Sequence, residues 1–147
     1  MSIKRSLLAL PLAALLVASP LSSLATAGHL VVIVHPSNPV PGLSENEVMR
    51  LWMGKTRSFP GQSVAEPVSL RDGDGLRQRF ETLILNKSPN QVRAYWAQQI
   101  FTGRGTPPKE LSSPEDVRRF VASNPSAVGY LEPEMVDGSV KVALEVR

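Results

Sequence analysis

The spacing of apolar residues changes along the chain, and the elements follow from those changes. From His29 to His35 the residues read HLVVIVH, an almost unbroken apolar run of strand length, as expected for a strand buried on both faces of a parallel sheet. The polar, proline-rich PSNPVPG cannot continue a ladder. Ser44 to Glu47 then has the spacing of a capping box ahead of Val48, Leu51 and Trp52, so a short helix begins there and stops at Gly54. A loop through Phe59, Pro60 and Gly61 leads to a second strand predicted within Val64 to Leu70.

Leu76, Phe80, Leu83 and Ile84 recur at helical spacing and predict a second helix ending near Asn86. Ser88, Pro89 and Gln91 start a third, whose apolar stripe is Val92, Tyr95, Trp96 and Ile100 and which TGRGTPP (Thr102 to Pro108) breaks. A fourth starts at Ser113, Pro114 and Asp116, turns Val117, Phe120 and Val121 inward, and ends at Asn124 and Pro125. SAVGYL (Ser126 to Leu131) and VKVALEV (Val140 to Val146) are strands separated by a proline-containing turn and Asp137-Gly138, and they close the sheet. This order predicts an α/β layered sandwich: a mostly parallel or mixed sheet with helices on both faces and right-handed parallel connections.

The first 27 residues stand apart: Lys4 and Arg5 precede a mostly apolar run from Leu7 to Ala18, and small residues end in Ala25, Thr26, Ala27. That is the pattern of a secretory signal peptide, too short in its apolar core to span a bilayer comfortably, and it places the mature start at Gly28. The expected product is an exported, soluble, periplasmic protein without a membrane anchor, its residues 28–147 forming one domain. Loss of Lys4 and Arg5 leaves fourteen basic residues against thirteen acidic, a net charge of +1, so the alkaline balance of the full chain offers no support for nucleic acid as a partner. With no cysteine, disulfide and thiol chemistry are ruled out.

Most chemistry suggested by short motifs falls away on inspection. The two histidines, His29 and His35, lie at either end of one strand, roughly 20 Å apart at about 3.3 Å per residue, too far to share an ion; no metal or other cofactor is expected. Gly54-Lys55-Thr56 looks like the end of a P-loop, but Met49 holds the position of the required upstream glycine and a helix precedes it, so it is read as a helix cap. GQSVA (Gly61 to Ala65) lacks the closing glycine of a nucleophile elbow and precedes a strand instead of following one. Trp52, Tyr95, Trp96 and Tyr130 sit among aliphatic residues at element spacing and read as core. No enzyme activity is expected.

VSLRDGDGLRQRF (Val68 to Phe80) remains: a strand end, a glycine-rich turn and the first turns of a helix. A glycine pair at such a corner leaves backbone N–H groups free to converge on an anion, and the helix dipole attracts charge to the same point. Ligands of open α/β sheets also sit beyond the carboxyl ends of the strands. Ser37 and Asn38 after the first strand, and Arg104 with Thr106 in the glycine-rich loop, are candidate rim residues.

SNPVPGLSENEVMRLWMGKTRSF, then PVSLRDGDGLRQRF, then NPSAVGYLE, in that order, resemble the phosphate-type periplasmic substrate-binding proteins of ABC transporters, of the type 2 periplasmic-binding-protein superfamily. The resemblance covers most of the mature chain and implies one lobe of that two-lobed fold. It also implies an anion held by backbone N–H groups, hydroxyls, an arginine and an aspartate. Asp72, Gly73 and Gly75 match the family's aspartate-glycine-serine-glycine-threonine turn, while Asp74 stands at its serine, Leu76 at its threonine and Leu70 at its arginine, with Arg71 one residue later. Asp74 puts a carboxylate where a hydroxyl donor belongs, and as an N-cap it can itself accept the N–H bonds that an anion would take.

The leading expectation is therefore a non-enzymatic solute-binding-like protein that contacts phosphate or a similar small oxyanion at Arg71, Asp72, Gly73, Asp74 and Gly75. It would serve the permease of an ABC transporter or a membrane sensor. The alternative is a degenerate lobe that acts as a protein–protein interaction module without a small-molecule ligand.

Overall fold

A computed structural model describes residues 29–61 and 63–147. The expected signal peptide and its expected cleavage point lie outside the described residues. The elements are β1 (Leu30–Val34), α1 (Glu45–Trp52), β2 (Glu66–Leu70), α2 (Gly75–Leu83), α3 (Pro89–Phe101), β3 (Lys109–Leu111), α4 (Pro114–Ser123), β4 (Ala127–Leu131), a 3-10 turn (Pro133–Met135) and β5 (Lys141–Val146).

The five strands form one mixed sheet in the order β3-β2-β4-β1-β5. β2 runs parallel to β3 and β4, whereas β1 is antiparallel to both of its neighbours, β4 and β5. All five residues of β1 are buried, as its apolar run requires. Its direction corrects the parallel setting expected for it, because a continuous apolar run reports that both faces are covered and says nothing of strand polarity. β4 and β5 do not pair with each other; β1 lies between them, and a register shift between Val32 and Ile33 bends its pairing with β5.

Helices cover both faces. Gly129 and Tyr130 are consecutive on β4 and so point to opposite sides. A Cβ at Gly129 would lie 2.7 Å from Cγ1 of Val117 and 3.4 Å from Cγ2 of Val121, which places α4 against one face. On the other, the Tyr130 ring stacks on Phe80 of α2 with centroids 4.2 Å apart, and Trp52 of α1 packs on Phe80 at 4.9 Å. Two buried hydrogen bonds fasten this cluster to the end of β2: Trp52 Nε1 donates to Ser69 Oγ at 3.1 Å, and Leu70 N donates to the Tyr130 hydroxyl at 3.1 Å. Burial pushes the Tyr130 hydroxyl up to about 12, so it stays protonated in this role.

Local signals set the helix ends. Ser44 and Glu47 form the capping box of α1, Ser88 and Gln91 that of α3, and the Ser113 hydroxyl accepts Asp116 N at α4. Gly54 follows α1 at φ 67°, a left-handed conformation that suits a glycine cap. Ile100 departs from the inward stripe expected of α3: it is largely exposed, as is Phe101. β3 was not expected at all, since KEL is three residues at a sheet edge with a single apolar side chain.

Candidate functional site

β2, β3 and β4 share a direction, so their carboxyl ends meet at one edge of the sheet, where ligands of open α/β folds bind. The corner that follows β2 is at this edge. Asp74 N donates to the Arg71 carbonyl at 3.1 Å and closes a tight turn, in which Gly73 adopts φ 88°. Arg71, Asp72, Gly73 and Gly75 are exposed and Asp74 is half-buried. No described residue stands within 4 Å of a Cβ at Gly73 or Gly75, so the corner is open on that side.

The anion at this helix start belongs to the protein itself. Asp74 is the N-cap of α2, and its Oδ1 accepts the N–H of Leu76 at 2.8 Å and of Arg77 at 3.2 Å. These are first-turn donors that a bound oxyanion would need. Asp72 turns the other way: Arg93 Nη1, from α3, donates to both of its carboxylate oxygens at 2.8 Å. The hydrogen bond from Arg93 holds the Asp72 carboxyl below the usual aspartate range, so it is ionised at neutral pH. The corner thus carries two carboxylates and two exposed guanidinia, Arg93, paired with Asp72, and Arg71, whose Nη2 donates to Ser112 Oγ at 2.9 Å, just after β3.

Behind the turn lies an ion network, buried at Arg77 and Glu81 and exposed at Glu110, that the sequence reading did not single out. Arg77 donates through Nε to Glu81 Oε1 at 2.8 Å, and through Nη1 to the Leu70 carbonyl at 2.9 Å and Glu110 Oε1 at 2.8 Å. The side chains of Arg77 and Glu81 are only 11% and 3% exposed. Burial works against the Arg77 charge, but its hydrogen bonds to the Glu81 and Glu110 carboxylates outweigh it and raise the guanidinium above its ordinary value. The four-residue spacing of Arg77 and Glu81 was a legible signal for this pair. Arg79 and Glu132, after β4, form a further ion pair on the same edge at 2.5 Å.

The other sequence-derived candidates are elsewhere. Since β1 runs against β2, Ser37 and Asn38 follow the end of β1 that pairs with the start of β4 (Val34 with Val128), at the opposite edge from Arg71. Both serve their own turn: His35 Nδ1 lies 2.7 Å from Ser37 Oγ, and buried Asn38 accepts Val40 N at 3.0 Å through its side chain. The Asn38 carbonyl also accepts the Lys141 ammonium at 2.5 Å, tying this turn to β5. Arg104 and Thr106 line a cavity of about 380 Å³ beside the start of β2, together with Arg57, Glu66 and Trp96. The structure therefore groups Arg71 to Gly75 and separates them from Ser37 and Asn38 and from Arg104 and Thr106. Among the described residues no group of three or more His, Asp or Glu side chains is placed to hold a metal ion, and no helix is long and apolar enough to cross a membrane.

This architecture is that of one lobe of the phosphate-type substrate-binding proteins. An ABC-type phosphate transport receptor from Vibrio cholerae superposes with a TM-score of 0.61 at 21% identity, covering 77% of this chain and 44% of the receptor. A Clostridium perfringens protein assigned as a phosphate ABC transporter substrate-binding protein, solved with bound phosphate, gives 0.63 at 21% identity, covering 78% of this chain and 43% of its own. PstS from Borrelia burgdorferi gives 0.58 at 12% identity, covering 77% and 45%. The chain spans less than half the length of these proteins, and at such identities the likeness is one of fold. No family model and no curated protein sequence matches the chain.

Proposed function

We propose that the protein is an exported, non-enzymatic, solute-binding-like lobe of the phosphate type that works by contacting a protein partner, its own Asp74 filling the ligand corner. The observation that carries this reading is the pair of hydrogen bonds from Leu76 and Arg77 to Asp74 Oδ1. An anion arriving at this corner would have to displace a covalently tethered carboxylate and lie near a second one, Asp72. It would do so in open solvent, where each charge contact is worth much less than in a closed cleft. The edge that carries the corner is instead built of crossed ion pairs, Asp72–Arg93, Arg77–Glu110 and Arg79–Glu132, a polar surface suited to a permease or a membrane sensor.

A second reading, capture of phosphate or a similar oxyanion for an ABC transporter or sensor, is favoured by the exposed Arg71 guanidinium and by the phosphate bound in the Clostridium perfringens structure. Calorimetric titration of the mature chain with phosphate, sulfate and acetate, none of which carries an aromatic body, separates the two. The first reading expects no saturable heat up to millimolar anion. Saturable binding abolished by Arg71→Ala would install the second. Export has its own check: the mass of protein recovered from outside the cytoplasm should correspond to a chain starting at Gly28.

A further inference from the structure

The cavity beside the start of β2 has a different chemistry from the corner, and it stands independently of the function proposed above. Its floor includes the Trp96 indole, itself only 8% exposed. Two glycines keep the indole edge clear of side chains: a Cβ at Gly54 would lie 3.0 Å from Cη2 of Trp96, and one at Gly105 3.7 Å from its Cζ3. Arg57 and Arg104 line the same cavity; both are exposed, and neither guanidinium makes an ion pair or hydrogen bond to another described residue. The third basic residue of the lining, Lys109, is drawn aside, its ammonium 4.7 Å from the centroid of the Phe120 ring. Among the described residues, Glu66 is the one carboxylate there.

We propose that this cavity is a binding site for a small organic anion: a flat apolar body laid against Trp96, with a single carboxylate or phosphate monoester held by Arg57 and Arg104. Its volume of about 380 Å³ is at the lower end of the range for small-molecule sites, about 300–1,000 Å³. Two unengaged guanidinia beside an indole supply what such a ligand needs, planar donors for the anionic group and an aromatic wall for the body. A bare inorganic anion gains only the first of these. Thr106 adds a hydroxyl at the same rim.

The test uses the mature chain with phenyl phosphate and benzoate as probes, followed by tryptophan fluorescence and by the backbone amide signals of Gly54 and Gly105. Saturable binding of at least one probe is expected, with shifts at both glycines. Arg57→Ala/Arg104→Ala should weaken it about ten-fold or more, the loss of charge-assisted hydrogen bonds. Trp96→Phe should remove the fluorescence change, and Arg71→Ala at the distant corner should leave affinity unaltered. Inorganic phosphate at equal concentration should not displace the bound probe. The proposal is overturned if neither probe saturates, if the double arginine variant, folded by circular dichroism, binds as well as the parent, or if Arg71→Ala abolishes binding.

Discussion

Oδ1 of Asp74 lies 2.8 Å from the amide nitrogen of Leu76, so α2 begins on a carboxylate of its own chain at the point where a ligand of this fold would be expected. The same bond makes Asp74 a stability determinant. Asp74→Ala should cost about 1 kcal/mol, as loss of a side-chain N-cap does, while Asp74→Ser should stay within a few tenths of a kcal/mol of the parent. Urea unfolding measures both; an alanine variant as stable as the parent would mean that the cap contributes nothing.

Arg77 is the counter-ion of buried Glu81, whose second oxygen, Oε2, makes no hydrogen bond to another described residue. Arg77→Met leaves that carboxylate unpaired and should destabilise by about 3 kcal/mol, within the range for a broken buried pair. Arg77→Met combined with Glu81→Leu should recover most of the loss, because the buried charge has gone as well. A single variant that costs no more than a surface pair would refute the burial argument.

Gly129 is hemmed in by Val117, Val68 and Val121, with Val117 Cγ1 only 2.7 Å from the place of a Cβ. Gly129→Ala should therefore cost about 1–3 kcal/mol by overpacking, and Val117→Ala in the same chain should return part of it. Thermal unfolding of the single and double variants checks this. Additive losses would show that α4 does not press on the sheet here.

The Asp72–Arg93 pair sets an acid dependence whose sign is fixed. Hydrogen bonding to Arg93 lowers the folded-state pKa of Asp72 below its unfolded value of about 3.9, so the native state releases this proton more readily than the unfolded chain. The resulting stability is fully present above the unfolded value and is lost as pH falls through the folded one. Because the pair is largely exposed, its size should be no more than about 1 kcal/mol. Arg93→Gln should therefore be less stable than the parent near neutrality and converge with it as pH falls through the folded-state value of Asp72. A gap that persists in acid would assign the effect to something other than this carboxylate.

Most elements were legible because their signals are local. The Ser44–Glu47 and Ser88–Gln91 boxes, the Gly54 stop and the run of Leu30 to Val34 each encode structure within a few residues. Asp74 as an N-cap was legible for the same reason. What escaped depends on pairing across the sheet. The polarity of β1 is not written in its apolar run, and with it went the expectation that Ser37 and Asn38 could share a rim with Arg71. β3 carries too few apolar residues to announce itself, so the partnership of Arg71 with Ser112, and of Arg77 with Glu110, had no sequence signal. Arg104 and Thr106 met Arg57 and Trp96 only through the packing of the α3 end on the α1 end.

The central claim is that Asp74 occupies the anion position at the head of α2. It is tested most directly by following the backbone amide signals of Leu76 and Arg77 by NMR while phosphate is added to the parent and to Asp74→Ala, which lacks the capping side chain. The account expects both signals to stay still in the parent and to move saturably in the variant, whose freed N–H groups can then meet an anion. Saturable shifts at Leu76 and Arg77 in the parent itself, no weaker than in the variant, would contradict it.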